Sequence, residues 1–321
     1  MTIGAPSISP SSPTPAGWTF GSCLGLLIGS SWSRATASYK IRASRTMTDL
    51  PMSAHGRSAE QVARECAEEA SRILLDRFPG RAGGHRGETR RKGRGNFVTE
   101  TDLAVESAVL ERLRAEFPEH AVLSEEGSGA AADSKHGWLW VVDPLDGTHN
   151  YSQGNPVFSF TIALCHDGDP VLGLTRAPAT GDEFFARKGG GLLVNGERAS
   201  VSATPSLAES VLGLDLGYDD ARAAKLISLV AEVWPGMQAV RVMGSAALGF
   251  AFAACGRFDV YVHHFLFPWD SAAGILLVRE GGGLVLDRDG GPMTLYSEGV
   301  VAGAPGVVQD FLRVARGRAW R

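Results

Sequence analysis

Residues 139–151 read LWVVDPLDGTHNY. An apolar run carries straight into two aspartates, Asp143 and Asp146, separated by Pro144 and Leu145, and Gly147 and Thr148 follow at once. A strand of this composition belongs in an interior. A carboxylate delivered there costs several kcal/mol unless something neutralises it. Three further segments end in the same way: TETD places Asp102 where an extended piece turns into a helix, LSEEG closes a strand with Glu125 and Glu126, and FPWDSAAG sets Asp270 at a helix start. No lysine or arginine lies in these segments to match them.

Singly, each has an ordinary reading. Asp143 serves a turn, Asp270 caps a helix, and Glu126 is expected to be solvated. Together they point to a shared pocket and a hard divalent cation such as Mg²⁺, which takes oxygen ligands and keeps waters and phosphate in its shell. Pro144 fixes one φ angle and lets Asp143, Asp146 and the Leu145 carbonyl converge. Gly147 permits close backbone approach. Thr148 starts a helix whose free N–H groups suit a phosphate.

Composition narrows the alternatives. With 321 residues, 44% hydrophobic content and a net charge of −4, the chain has the make-up of a soluble globular protein, and no basic field suggests nucleic acid or an anionic membrane. Cys23, Cys66, Cys165 and Cys255 form no CxxC pair, which favours a reducing, cytoplasmic setting over a disulfide scaffold or zinc site. Residues 1–55 differ from the rest. SISPSSPTP is low-complexity, and GWTFGSCLGLLIGSSW falls short of the roughly 20 apolar residues a span requires. A disordered or mis-started tail is expected there, with Met47 as a plausible start and a targeting segment as the alternative.

From residue 56 onward, SAEQVARECAEEASRILLDRF (58–78) has helical spacing with Ser58 as N-cap. Residues 79–95 form a Gly-rich basic loop carrying Arg90, Arg91, Lys92 and Arg94. NFVTETDLAVESAVLERLRAEFP runs from an extended piece into a second helix. Residues 157–196 read as a strand meander with turns at HDGD and PATGD. Later, ARAAKLISLVAEVW (221–234), GSAALGFAFAACG and DSAAGILLVREGG read as helices among the short strands VLGLDL, AVRVM, DVYVHH and GLVLD. This predicts an α+β metal-site half, 56–195, followed by an α/β half, 196–321.

DPLDGTHNY resembles the first signature of the inositol monophosphatase family, DPxDGTxNF, and PWDSAAGILLVREGGG the second, WDxAAGxxxxxEAGG. TETDLAVE, LSEEG and VRVMGSAAL are similar to its other metal-site and substrate segments, all in the family's order. The resemblance implies a layered αβαβα sandwich of the inositol monophosphatase and fructose-1,6-bisphosphatase type. It also implies a homodimeric, lithium-sensitive enzyme of inositol metabolism that uses two or three Mg²⁺ ions. By motif, Glu125, Asp143, the Leu145 carbonyl, Asp146 and Asp270 would be metal ligands; Glu125, Thr148 and Asp102 would be catalytic. Gly147, Thr148, Gly244, Ser245, Ala246, His263 and Asp270 would meet the substrate. Inositol monophosphate is the first expectation. Fructose 1,6-bisphosphate, histidinol phosphate, 3′-phosphoadenosine 5′-phosphate and a regulatory binding protein are the alternatives.

The match departs at His263, where inositol-handling members carry a glutamate that contacts sugar hydroxyls. An imidazole cannot act as an acceptor-only carboxylate, so either the substrate differs or the contact is simply replaced. His263 and His264 as an extra metal pair is disfavoured, because alternate strand residues face opposite ways. Arg176, Leu192 and Leu193 also depart from the pattern and read as structural.

Overall fold

A computed structural model describes residues 49–80, 89–91, 97–127, 136–318 and 320. The tail before residue 49, Cys23 and Met47 within it, and Lys92 and Arg94 of the basic loop lie outside the described residues. The first helix, α1 (Ala59–Arg77), opens with a reciprocal cap: the Ser58 hydroxyl accepts from Gln61 N–H at 3.2 Å while the Gln61 side chain accepts from Ser58 N–H at 2.9 Å. Packed structure begins before residue 56, inside the segment read as tail. The Met52–Ser58 bridge and the bond from Ala54 N–H to the Glu116 carbonyl at 2.8 Å fasten it to the domain.

A short hairpin, β1 (Thr89–Arg91) with β2 (Phe97–Thr99), leads into α2 (Glu100–Glu116). Seven strands then form the first sheet: β3 (Ala121–Ser124), β4 (Trp138–Asp146), β5 (Ser159–His166), β6 (Asp169–Ala177), β7 (Asp182–Arg187), β8 (Gly191–Val194) and β9 (Glu197–Ala199), in that spatial order, with a short helix α3 (Thr148–Ser152) after β4. All neighbours are antiparallel except β3 and β4. The second sheet comprises β10 (Val211–Asp215), β11 (Ala239–Val242), β12 (Val260–His263), β13 (Leu284–Leu286) and β14 (Val300–Gly303), ordered β11-β10-β12-β14-β13. Its first three strands are parallel, linked through α4 (Asp220–Val233) and α5 (Ala246–Ala254). The change from meander to crossover pairing falls between β9 and β10. Two more helices complete the chain, α6 (Pro268–Glu280) and α7 (Pro305–Ala315).

The core clusters define five layers. Val62, Cys66 and Leu74 of α1 and Val105, Val109 and Leu113 of α2 cover one face of the first sheet, against Phe160, Ile162 and Leu164. On its other face Ala163 and Cys165 meet Ala272 and Ala273 of α6. Phe250 of α5 and Ile275 of α6 pack also on Tyr261 and Ala302 of the second sheet, whose far face carries α4 and α7. The order is αβαβα. It explains why α5 and α6 are apolar all round and why β5 is buried on both faces rather than alternating, since each lies between two layers.

Two of the departures from the pattern, Arg176 and Leu192, are structural. Arg176 pairs across strands with Glu183 at 3.2 Å, and Leu192 is buried in the core. Cys66, Cys165 and Cys255 are free thiols. No described helix is long and apolar enough to cross a membrane.

Candidate metal and substrate site

Residues three apart on a regular strand face opposite sides of a sheet, so Asp143 and Asp146 should point apart. They do not, because β4 carries a bulge between them. Asp143 pairs with Thr161 and Asp146 with Ser159, so three steps on β4 match two on β5. The extra residue brings both carboxylates to one side. Pro144, which has no N–H to lose from the ladder, sits in that bulge. Asp143 accepts from Leu145 N–H at 3.0 Å.

Asp270 arrives from the neighbouring layer. Pro268 opens α6, and the Asp270 carboxylate accepts from Phe267 N–H at 2.7 Å. The helix approaches the first sheet so closely that a Cβ on Gly173 would lie 2.9 Å from the Ala273 carbonyl oxygen. Asp143, Asp146 and Asp270 thereby place ligand atoms within 4.8 Å of one another. Glu125 follows β3, whose Ser124 pairs with Val142, and continuing that register sets Glu125 alongside Asp143. Glu126 is not fully solvated as expected, since one of its carboxylate oxygens is out of contact with water.

Burial is the first cause that raises each of these acids above the ordinary carboxylate range. Asp143 is pushed well above the ordinary carboxylate range by burial, then by the charges of Glu125, Asp146 and Asp270. Asp146 is also raised by burial, less so because Ser245, Ser159 and two backbone N–H groups bond to it. Asp270 is pushed up to about 7 by burial, with Asp146 adding to the rise. Neither Asp143 nor Asp270 has a lysine or arginine partner among the described residues. Three converging carboxylates with no basic partner are a donor set that fits a hard divalent cation.

A further acid, from α2, adjoins them. Asp102 takes the third position of α2, where it accepts from the Thr99 N–H at 2.9 Å and from the Thr99 hydroxyl. It is buried and raised to about 6, mainly by that burial. The Thr148 hydroxyl oxygen lies 3.2 Å from Asp102 Oδ1 and 2.9 Å from the Leu145 carbonyl oxygen. One hydroxyl proton serves one of these acceptors at a time.

A cavity of about 270 Å³ opens beside the acids, lined by Asp146, Gly147, Thr148, Asp270, Gly244, Ser245, Ala246 and His263. That volume suits a small molecule rather than a chain segment. Ser245 and Ala246 also do something the motif does not reveal. The Ser245 hydroxyl and the N–H groups of Ala246 (2.9 Å) and Ala247 (3.2 Å) donate to Asp146, tying the start of α5 to the bulge. Asp215, which the sequence reading passes over, lines the cavity too. It accepts from Met243 N–H at 3.0 Å, from Gly244 N–H, and from the Tyr261 hydroxyl at 2.9 Å. Burial pushes it up to about 7. The side chains of Arg90 and Arg91 lie outside the described residues.

Gly147 joins the two halves of the site. Its φ is +86°, and a Cβ there would come within 3.0 Å of the carbonyl oxygens of Gly244 and Val157. Gly147→Ala is expected to cost about 1–3 kcal/mol through the left-handed backbone and these contacts. A thermal melt showing no loss of stability would contradict this reading.

Comparisons with known proteins bear on the family and the fold. The model of the inositol monophosphatase family matches residues 57–319. Inositol-1-monophosphatase ImpA of Mycolicibacterium smegmatis is 36% identical over 241 residues, covering 73% of this chain and 85% of that protein. Nus factor SuhB of Escherichia coli is 35% identical over 226 residues, covering 70% and 84%. The crystal structure of extragenic suppressor protein suhB from Bartonella henselae superposes with a TM-score of 0.74 at 29% identity, covering 80% of this chain and 98% of that one. With the family's signatures gathered into one pocket inside an αβαβα sandwich, this chain belongs to the inositol monophosphatase family.

Proposed function

We propose that the chain hydrolyses a small phosphate monoester, with inositol monophosphate as the first candidate substrate and Mg²⁺ as the cofactor. The supporting observation is the convergence of Asp143, Asp146 and Asp270 with no basic partner among the described residues. Glu125, these three aspartates and the Leu145 carbonyl would hold the ions. When bound, the ions supply Lewis-acid polarisation of the phosphoryl group and lower the pKa of the attacking water.

The side chains divide the remaining work. Thr148, set between Asp102 and the Leu145 carbonyl, orients the attacking water with Glu125 and passes its proton toward Asp102. The backbone N–H groups of Gly147 and Thr148 face the phosphate. Attack is in line on phosphorus, and the ester P–O bond breaks to give the alcohol and inorganic phosphate. Asp270 lies beside the departing oxygen, and Gly244, Ser245, Ala246 and His263 meet the alcohol. The name of the M. smegmatis relative supports the substrate. The name of the E. coli relative favours a second reading, a regulatory binding protein. The full acidic set favours the enzyme.

Phosphate release from inositol 1-phosphate, fructose 1,6-bisphosphate, histidinol phosphate and 3′-phosphoadenosine 5′-phosphate, with and without Mg²⁺, separates these readings. Mg²⁺-dependent release is expected, and no release by folded protein would favour the binding role. Thr148→Val keeps the shape but removes the hydroxyl, and should lower kcat by roughly 10²–10⁴ with little change in the thermal melt. An unchanged kcat would remove Thr148 from the mechanism.

A further inference from the structure

The cavity has two unlike walls. One is the acidic group described above. The other is apolar, built from Leu216, Tyr218, Val242 and Phe265, and His263 is set into it. His263 ends β12 and is 4% exposed. Gly217 leaves room for the ring, since a Cβ there would be 3.0 Å from its Cε1.

The hydrogen bonding of this ring is fixed on one side. His263 Nδ1 accepts from Phe265 N–H at 3.1 Å, so it carries no proton, and the neutral ring must carry its proton on Nε2. Nε2 has no partner among the described residues. The neighbouring carboxylate on β10, Asp215, is already engaged by two backbone N–H groups and the Tyr261 hydroxyl. An N–H donor in a cavity wall with no partner among the described side chains is left to donate to an acceptor on a ligand. Where a glutamate would demand a hydroxyl proton from the substrate, this position supplies a proton instead.

We infer that His263 selects phosphate esters whose alcohol portion presents a hydrogen-bond acceptor beside an apolar face, and that an acceptor-only group satisfies it as well as a hydroxyl. The inference rests on the phosphatase reading and specifies the substrate class of that site. A glutamate at this position would reject an ether or carbonyl. His263 does not. A ligand with nothing at that position leaves Nε2 unpaired and is disfavoured.

The test uses three matched esters: the monophosphates of cyclohexane-trans-diol, of its monomethyl ether, and of cyclohexanol. With Mg²⁺, the wild-type protein should turn over the first two with kcat/KM within about threefold, and the third at least about tenfold more slowly. His263→Glu should lose the methyl ether at least about tenfold relative to the diol, while His263→Gln, which offers both a donor and an acceptor, should keep both. His263→Ala should level the three. Rejection of the methyl ether by the wild-type protein, or equal turnover of all three, would overturn the inference and leave the hydrolase reading standing. Release from none would overturn both.

Discussion

Asp143→Asn is expected to reduce phosphate release by about three orders of magnitude, the effect of removing several kcal/mol of metal-derived stabilisation. The substitution is nearly isosteric, and the amide oxygen can still accept from Leu145 N–H, the bond that Asp143 makes at 3.0 Å. What it removes is the carboxylate a cation would bind, whose charged form is disfavoured without metal by burial and then by Glu125, Asp146 and Asp270. Its effect on stability therefore separates a binding role from a packing role. In EDTA the variant should melt at the same temperature as the parent or higher, because an amide there never has to ionise at a buried position as pH rises. In saturating Mg²⁺ it should melt lower than the parent, because a ligand bound only to the folded state stabilises it. Unimpaired turnover would contradict the metal assignment, and a large loss of stability in EDTA would make Asp143 a structural residue.

The second large effect is a pH dependence that Mg²⁺ should reverse. In the folded, metal-free protein Asp143 and Asp146 are raised, Asp270 and Asp215 stand at about 7 and Asp102 at about 6, against an ordinary value of 3.8. Between those limits the folded state binds more protons than the unfolded chain, so stability falls as pH rises. These groups contribute fully below their unfolded value; the contribution of Asp102, Asp215 and Asp270 is lost as pH rises through about 6 to 7, and those of Asp143 and Asp146 as it rises through their own raised values. Acids held below their usual range act in the opposite sense. Asp182 beside Arg257 and Asp310 beside Arg313 lose their contribution only as pH falls through their own depressed values. Thermal melts in EDTA should therefore decline from about pH 5 to about pH 8. Added Mg²⁺ should raise the curve most at the alkaline end, where the acids are charged. A melting temperature that rises with pH in EDTA would show that the cluster is neutralised by something within the protein.

Much of this site could be read from the sequence because its chemistry sits at element ends, where local signals are strong. Asp102 follows a capping threonine, Asp270 follows a proline that opens a helix, and both positions are found as read. The first helix is similarly plain from its apolar spacing and the Ser58 cap, and the second from its apolar spacing. The convergence of the DPLD carboxylates is read from Pro144, but the bulge that produces it is not. A bulge depends on how two strands register against each other, and Asp143 and Asp146 share a side only because Ser159 and Thr161 of β5 pair with them. Asp215 was hidden for a related reason. It lies at the end of the VLGLDL strand with no local signal of its own, and its partners come from residues 243, 244 and 261. Alternation also failed as a guide in β5, where layers on both faces leave no solvent side to mark. The last strand and helix, β14 and α7, carried a readable signal in Pro305 followed by Val307, Val308, Phe311 and Leu312 at helical spacing, and the sequence reading did not take it up.

Crystals grown with Mn²⁺ in place of Mg²⁺, with diffraction measured at the manganese absorption edge, locate the ion directly. The account predicts anomalous peaks within ligand distance of Asp143, Asp146 and Asp270, with Glu125 and the Leu145 carbonyl completing the shell, and loss of at least one peak in Asp143→Asn. Manganese absent from that pocket at saturating concentration, or bound only elsewhere on the protein, would contradict it.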